Sequence, residues 1–576
     1  MTGGGDNCCG GNCCRNAGAL RIEAVNPHPV METLNGIQYC VNSPPPWLEA
    51  FVLGFQHYLL TLGMIVLVCS IIVPQMGGSH LEKVMLIQNM LFAAGLNTLV
   101  QSWFGTRLPT VIGASYSFVV PCTTIVLASR YYSDYLMLPH ERFKKTMQGI
   151  QGALMISSVF QLALGCFGFW RNIVRFLSPL SMVPLVTFTG LGLTHLGFPN
   201  LAECVEVGLP QLIMMLIFSH YIPHFMKPTR PIFDRFALLF STAIVGIYAQ
   251  ILTSSGVYNH KPPQTQLSCC SESAPLISAA PWFDTQVHLN CSSIKRFCSI
   301  IIAWRLIVAN GCRLYLPRPF QWGKPTFNVG EAFVMMAAAL VALTESTGTF
   351  LAVARYGSAT PVPPSVLGRS AAWLGFGTLL NGMLGSVSGA VASVENAGLL
   401  GLTKVGSRRV IQISAAFMIF FSIFAKIGAI FASVPLPVIA ASYCIFFGYV
   451  SSAGLSFLQF CNINSFRTIF ILGFTFFMAI SVPQYFLIYQ IKSDSSPLHT
   501  DHRWFNDMVA TIFLSSTLVA ALVGLLLDNT VERGIEMTKK DNGAHWWERF
   551  ILFTKDIRNA EFYSLPCKLN QFFPPL

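Results

Sequence analysis

Glu345 stands in the apolar run EAFVMMAAALVALTESTGTF, and Glu395 opens ENAGLLGLTK behind a run of small residues. A carboxylate near the middle of a membrane span costs several kcal/mol unless it is paired, and by default it marks a pathway or a proton relay. On a helix, Thr349 follows Glu345 by one turn and shares its face. Glu395 begins a short helix whose N-terminus aims free backbone N–H groups and the positive end of its dipole at a cavity. Those N–H groups suit carbonyl oxygens, and a carboxylate suits N–H groups. A flat heterocycle bearing both, such as a pyrimidine or an oxopurine, fits by bidentate hydrogen bonding. The blander readings are a carboxyl bonded to the backbone of a broken helix for Glu345 and an N-terminal cap for Glu395. The two residues together are more informative than either alone.

The rest of the chain must hold these groups inside a bilayer. Of its 576 residues, 53% are hydrophobic and only 11% charged, about half the charge of a soluble domain, and its mean hydropathy is +0.56. That excludes a soluble globular enzyme. The net charge of +11 comes from basic residues scattered between apolar runs, with no basic patch that would serve nucleic acid. Apolar runs long enough to span lie near 47–73, 83–105, 109–129, 147–169, 177–198, 209–226 and 235–255, then near 329–352, 368–387, 391–403, 409–433, 436–460, 467–487 and 508–528. The expectation is an all-α polytopic membrane protein of 14 spans, seven plus seven. The third and tenth are short or rich in small residues around a polar centre, the pointer to an inverted repeat with broken spans at its binding site. With the N-terminus inside, the inner loops collect Arg107, Arg171, Arg175, Arg355, Arg369, Lys404, Arg408 and Arg409, and the basic tail residues Arg533, Lys539 and Lys540 also fall inside.

The string ENAGLLGLTKVGSRR, with Glu395, Asn396, Gly398, Thr403 and Lys404, resembles the signature of the nucleobase-ascorbate transporter family, in which Gln, Glu or Pro precedes Asn-x-Gly-x4-Thr-Lys/Arg. The resemblance extends through Gln56-His57, GASYSF, ESTGTF and FYSLP near the C-terminus, covers nearly the whole chain, and is strongest to the plant branch. It implies a core of spans one to four and eight to eleven, a gate made of the other spans through which members form homodimers, and an elevator-like stroke of the core. It also implies that Glu345 and Glu395 hold the edge of a base, that Ser115 and Tyr116 supply backbone donors and an aromatic face, that Asn396 and Thr403 shape the half-helix, and that Gln56 and His57 support the core. Glu at the first signature position can accept a base N–H where the Pro of the animal ascorbate branch cannot.

The chain departs from the family pattern in four places. Thr349 stands where many relatives carry Asp or His, Leu374 where an acidic or amide residue is common, and Tyr116 where Phe or Ala is usual. The segment 284–318 separates Pro281-Trp282 from Pro319-Phe320-Gln321-Trp322-Gly323, which relatives nearly join. Its apolar stretch of about 13 residues is too short to span, so it reads as translated intron or a gene-model error before a re-entrant segment. Cys8, Cys9, Cys13 and Cys14 lack zinc spacing and read as a flexible reduced tail. HWWERFILF, at 545–553, reads as an aromatic segment along the headgroups or at the membrane edge.

The expected organisation is an inner tail at 1–46, core halves at 47–169 and 329–433, gate halves at 170–256 and 434–528, a loop at 257–328 holding the insert, and an inner tail at 529–576. The expected function is proton-coupled uptake of a nucleobase of the xanthine, uric acid or uracil type, with Glu345 and Glu395 as the proton site, in the plasma membrane or else the vacuolar membrane. No cofactor or metal is called for. The competing readings are a sodium-driven ascorbate transporter, an anion exchanger of the same architecture, which the glutamate at the half-helix opposes, and a non-transporting paralogue disabled by the insert. An intramembrane enzyme lacks any HExxH or GxSxG context.

Overall fold

The computed structural model describes residues 33–128, 131, 138–226, 232–257, 317–424, 434–493, 496–531 and 535–566. Helices α1 (Trp47–Gln75) and α2 (His80–Trp103) come first, and β1 (Ile112–Gly113) then leads through a 3-10 turn at Tyr116–Phe118 into α3 (Val119–Val126). Next are α4 (Pro139–Cys166), α5 (Pro179–Leu191), α6 (Val205–Leu216) and α7 (Ala237–Ser254). The second half holds α8 (Val329–Tyr356), α9 (Pro364–Leu384), β2 (Val391–Ala392), α10 (Val394–Thr403), α11 (Arg408–Ile423), α12 (Leu436–Leu455) and α13 (Phe466–Ser493). It continues with α14 (Arg503–Phe513), α15 (Ser516–Thr530), and the short α16 (Ile535–Asp541), α17 (Ala544–Ile551) and α18 (Arg558–Tyr563). The N-terminal cysteines and the insert, apart from its last two residues, lie outside the described residues.

Among the described residues nine helices are long and apolar enough to cross a bilayer, or ten if α14 and α15, bent by 75°, form one span. The chain is therefore a mostly helical multi-pass membrane protein. Four of the fourteen expected runs fall outside that set for different reasons. Residues 109–128 and 391–403 fold as two-residue strands followed by short helices, α9 is long enough but Arg369 and Asn381, with its Gly and Ser, make it too polar, and α11 ends at Ile423 just before the described residues break off. The bend between α14 and α15 is not visible to a hydropathy window, because both arms are apolar.

Local signals set the ends of several helices. Ser79 and Glu82 form a reciprocal capping box at the start of α2, Asn328 caps α8, and Gly385 closes α9 in the left-handed region at φ 74°. Packing then divides the helices into two groups. In one, α4 lies along α9 and α8, and α11 lies along α1 and α2; in the other, α5 packs against α12 and α15, α15 against α13, and α6 against α12 and α7. Small residues bring α4 and α9 together, since a Cβ on Gly165 would lie 2.3 Å from the Ala372 backbone nitrogen. The groups meet along α8, which touches α5, α12, α14 and α15, and where α10 touches α12.

The aromatic tail differs from its expectation. Trp547 and Phe550 are buried, and Trp546 stacks on Phe460 at 3.6 Å. The apolar face of α17 therefore finds its cover on the protein instead of in the headgroups.

Candidate functional site

The site begins with the two-residue sheet. Antiparallel pairing sets Ile112 beside Ala392 and Gly113 beside Val391, so the helices that follow leave in opposite directions and their N-termini lie close together. Backbone at membrane depth must find partners inside the protein, and polar side chains complete the ladder here. Thr98 both accepts from Ile112 N–H (2.9 Å) and donates to its carbonyl (3.2 Å), Ser346 Oγ accepts from Ala392 N–H (3.1 Å), and Thr378 Oγ1 accepts from Ala390 N–H (3.1 Å). Asn381 donates to the Ser388 carbonyl (2.9 Å) and accepts from Asn97 (3.0 Å), which braces the approach to β2.

Glu345, 5% exposed on α8, meets the first of these N-termini. Ser115 Oγ donates to both of its carboxylate oxygens at 3.0 and 3.1 Å, and Ser117 Oγ donates to it as well. Ser115 also caps the 3-10 turn by accepting from Ser117 N–H, and its own N–H donates to Ser388 Oγ (3.1 Å). Glu395, 2% exposed, sits in the first turn of α10, within electrostatic range of Glu345.

A hydrogen-bond chain runs from the start of α10 to α1. Asn396 Nδ2 donates to Ser393 Oγ (2.6 Å) and Thr61 Oγ1 (3.0 Å), which leaves Asn396 Oδ1 to accept from His57 Nδ1 at 2.8 Å. Ser393 Oγ accepts from the Asn396 backbone N–H as well, at 3.4 Å. Ser393 is also the N-cap of α10.

The remaining predicted residues act around this centre. Thr349 is fully buried, and its hydroxyl donates to the Glu345 carbonyl (2.9 Å). Thr403 likewise donates to the Leu399 carbonyl (2.8 Å). Gln56 Nε2 donates to the Arg235 carbonyl (3.1 Å). Lys404 closes α10 in the left-handed region at φ 57° and faces Asp234 at 3.6 Å. Gly398 lets α10 lie against α12, since a Cβ there would be 2.2 Å from the Phe446 carbonyl oxygen.

Tyr116 is covered from the opposite group of helices, because His195, in the turn after α5, packs on its ring with centroids 4.5 Å apart. Tyr443 on α12, within electrostatic range of Glu395, is fully buried, and its hydroxyl has no hydrogen-bond partner among the described residues. Sequence reasoning missed both. A lone His or Tyr in an apolar run carries no local signal, whereas Ser117 lay inside GASYSF and Ser393 two positions before Glu395. A separate apolar cavity of about 470 Å³ lies between α1, α7 and α12 and is lined by neither carboxylate.

Irregular backbone and two buried carboxylates are here enclosed by long apolar helices, an arrangement that suits a multi-pass membrane transporter. A model described as a permease family matches residues 48–488. Nucleobase-ascorbate transporter 5 of Arabidopsis thaliana is 53% identical over 95% of this chain and 98% of its own, and nucleobase-ascorbate transporter 7 of the same plant is 52% identical over 96% and 97%. Nucleobase-ascorbate transporter LPE1 of Zea mays is 47% identical over 97% and 99%. The chain belongs to the nucleobase-ascorbate transporter family. Among solved structures, the transmembrane domain of a cyanobacterium bicarbonate transporter BicA aligns with 83% of this chain and 96% of that one at 14% identity, with a TM-score of 0.35 that is too low to bear on the fold.

Proposed function

We propose that this protein is a proton-coupled symporter for a nucleobase of the xanthine, uric acid or uracil type, working by an elevator-like movement of a core against a gate. The observation that carries the reading is the meeting of Glu345 and Glu395 at the paired N-termini of two short helices. Carboxylates accept the N–H groups of a base while helix N-termini donate to its carbonyls. Tyr116 offers the ring a flat face, and His195 and Tyr443 approach from the other group of helices. The names of the relatives support a base or ascorbate as cargo, and Glu395, an acceptor for N–H, favours the base.

In this reading the fourteen spans form a seven-plus-seven inverted repeat with the third and tenth broken. The core comprises 47–169 and 329–433, and the gate comprises 170–256 and 434–528 and forms the homodimer contact in the plasma membrane. Glu345, coupled to Glu395, takes the proton, so that proton and base cross together. The test is uptake of radiolabelled xanthine, uracil and ascorbate into cells lacking nucleobase carriers, with and without residues 284–318, and with a protonophore. Base uptake abolished by the protonophore supports the reading, and ascorbate uptake alone overturns it. Surface-expressed protein that moves none of the three in either form is a non-transporting paralogue. In-frame retention of the insert in long-read transcripts would defeat its reading as translated intron.

A further inference from the structure

FYSLP near the C-terminus has no place in the site, yet side chains from several helices and loops bond to it. Thr360, in the loop between α8 and α9, donates to Asn559 Oδ1 at 2.7 Å, and Tyr563 Oη donates to the Thr360 carbonyl. Three arginines from three other places converge on successive carbonyls of the same segment. Arg408 donates to Phe562 (3.3 Å), Arg369 to Tyr563 (3.0 Å) and Arg107 to Ser564. Arg369 and Arg408 also donate to the carbonyls of Gly105 and Arg107, at 2.8 and 2.7 Å. Asn559 and Tyr563 are fully buried. All of these partners belong to the group of helices built on α2, α8, α9 and α11.

Some twenty residues earlier the same tail is fixed to the other group. Asp541 accepts from Asn462 (3.0 Å) and Ser465 (2.6 Å), Leu180 N–H donates to the Asn542 carbonyl (3.2 Å), and Asn542 donates to Asp528 (3.3 Å). Asp528 in turn pairs with Arg467 at 3.0 Å, with both side chains at most 2% exposed. Trp546 adds its stack on Phe460. Between the two anchorages Phe550 and Phe553 are buried in the same apolar cluster as Phe562 and Tyr563, while Thr554, Lys555 and Ile557 are exposed.

We propose that residues 541–564 are an interdomain strap that holds the transporter in this orientation and must release FYSLP from the core each time the core moves. The inference rests on the core-and-gate reading above. A hydrogen bond does not survive beyond about 3.5 Å, so a shift of a few ångströms between the two groups undoes the arginine and Thr360 contacts unless the strap lets go first. Loosening the FYSLP end therefore changes the rate of turnover without touching the site.

The test uses the full-length protein with Thr360→Cys and Asn559→Cys, bridged by a short, reducible bifunctional thiol reagent, with each single cysteine variant treated in parallel. Bridging should lower the maximal rate of labelled xanthine or uracil uptake at least tenfold, and reductant should restore it. A bridged carrier that works at its reduced rate overturns the strap. Tyr563→Phe keeps the ring and removes only the bond to Thr360, and it should speed tryptic cleavage at Lys555 and Arg558 in membranes at least threefold. Unchanged cleavage would likewise overturn the proposal. Because cleavage is read without transport, a wild-type protein that takes up no base sinks the nucleobase reading while the strap is still decided.

Discussion

Asn396→Ala is the most revealing perturbation of the site, because the bonds it breaks do not all cost the same. Asn396 is 1% exposed and makes three side-chain hydrogen bonds. Thr61 Oγ1 keeps its bond to the His57 carbonyl, and Ser393 Oγ keeps its bond from the Asn396 N–H. These two lose about 1 kcal/mol each. His57 Nδ1–H has no other partner among the described residues and is stranded in its buried position, at roughly 1–3 kcal/mol. The expected loss is therefore roughly 3–5 kcal/mol. His57→Ala strands Asn396 Oδ1 instead, so each single variant includes the penalty for the same broken bond. The double variant should then cost less than the two singles together, by about 1–3 kcal/mol. Unfolding titrations with SDS in mixed micelles on the purified wild type, both singles and the double measure this. If the single costs simply add, the two residues are independent and the chain from His57 to Ser393 plays no part in holding α10.

Glu345→Gln should reach the membrane yet lose pH-dependent uptake, and a mutant with an unchanged pH profile would remove Glu345 from the mechanism. Gly398→Ala forces a Cβ to within 2.2 Å of fixed backbone on α12, whereas Gly473→Ala has nothing within 4 Å. The first should cost at least about 1–3 kcal/mol and most of the surface expression, and the second should be silent when both are counted by surface labelling. His195→Ala should weaken competition by xanthine and uric acid several-fold while surface expression holds, and equal inhibition constants in mutant and wild type would leave His195 outside the site. Replacing Arg467 by Met leaves Asp528 buried without its cation, a loss of about 3–5 kcal/mol that melting of the purified protein would detect.

Much of the site was legible because its chemistry is rare in its setting. A glutamate in an apolar run announces itself, and ENAGLLGLTK places Glu395, Asn396 and Gly398 on one short helix by spacing alone. The short third and tenth runs were legible as oddities, but the pairing of Ile112 with Ala392 was not, since nothing local to either strand encodes a partner in the other half of the chain. Ser117, Thr61 and Ser393 matter through what they face, and hydroxyls in apolar helices usually satisfy their own backbone, as Thr349 does. His195 and Tyr443 depend on how the two groups of helices meet. The aromatic tail was misread because an amphipathic helix looks the same whether lipid or protein covers it.

The two-residue sheet also bears on how the protein is made. Ser115 and Ser388, bonded to each other, stand 273 positions apart, and at about 5–20 residues per second the ribosome needs roughly 14–55 s to pass from one to the other. During that interval the segment from Ile112 to Val126 has emerged with half its ladder missing, and lipid offers no substitute for the absent backbone partners. The nascent chain must therefore wait near the translocon, or at the wet edge of the bilayer, until β2 arrives. Lesions that delay β2 should therefore lower the protein's abundance before they touch its activity.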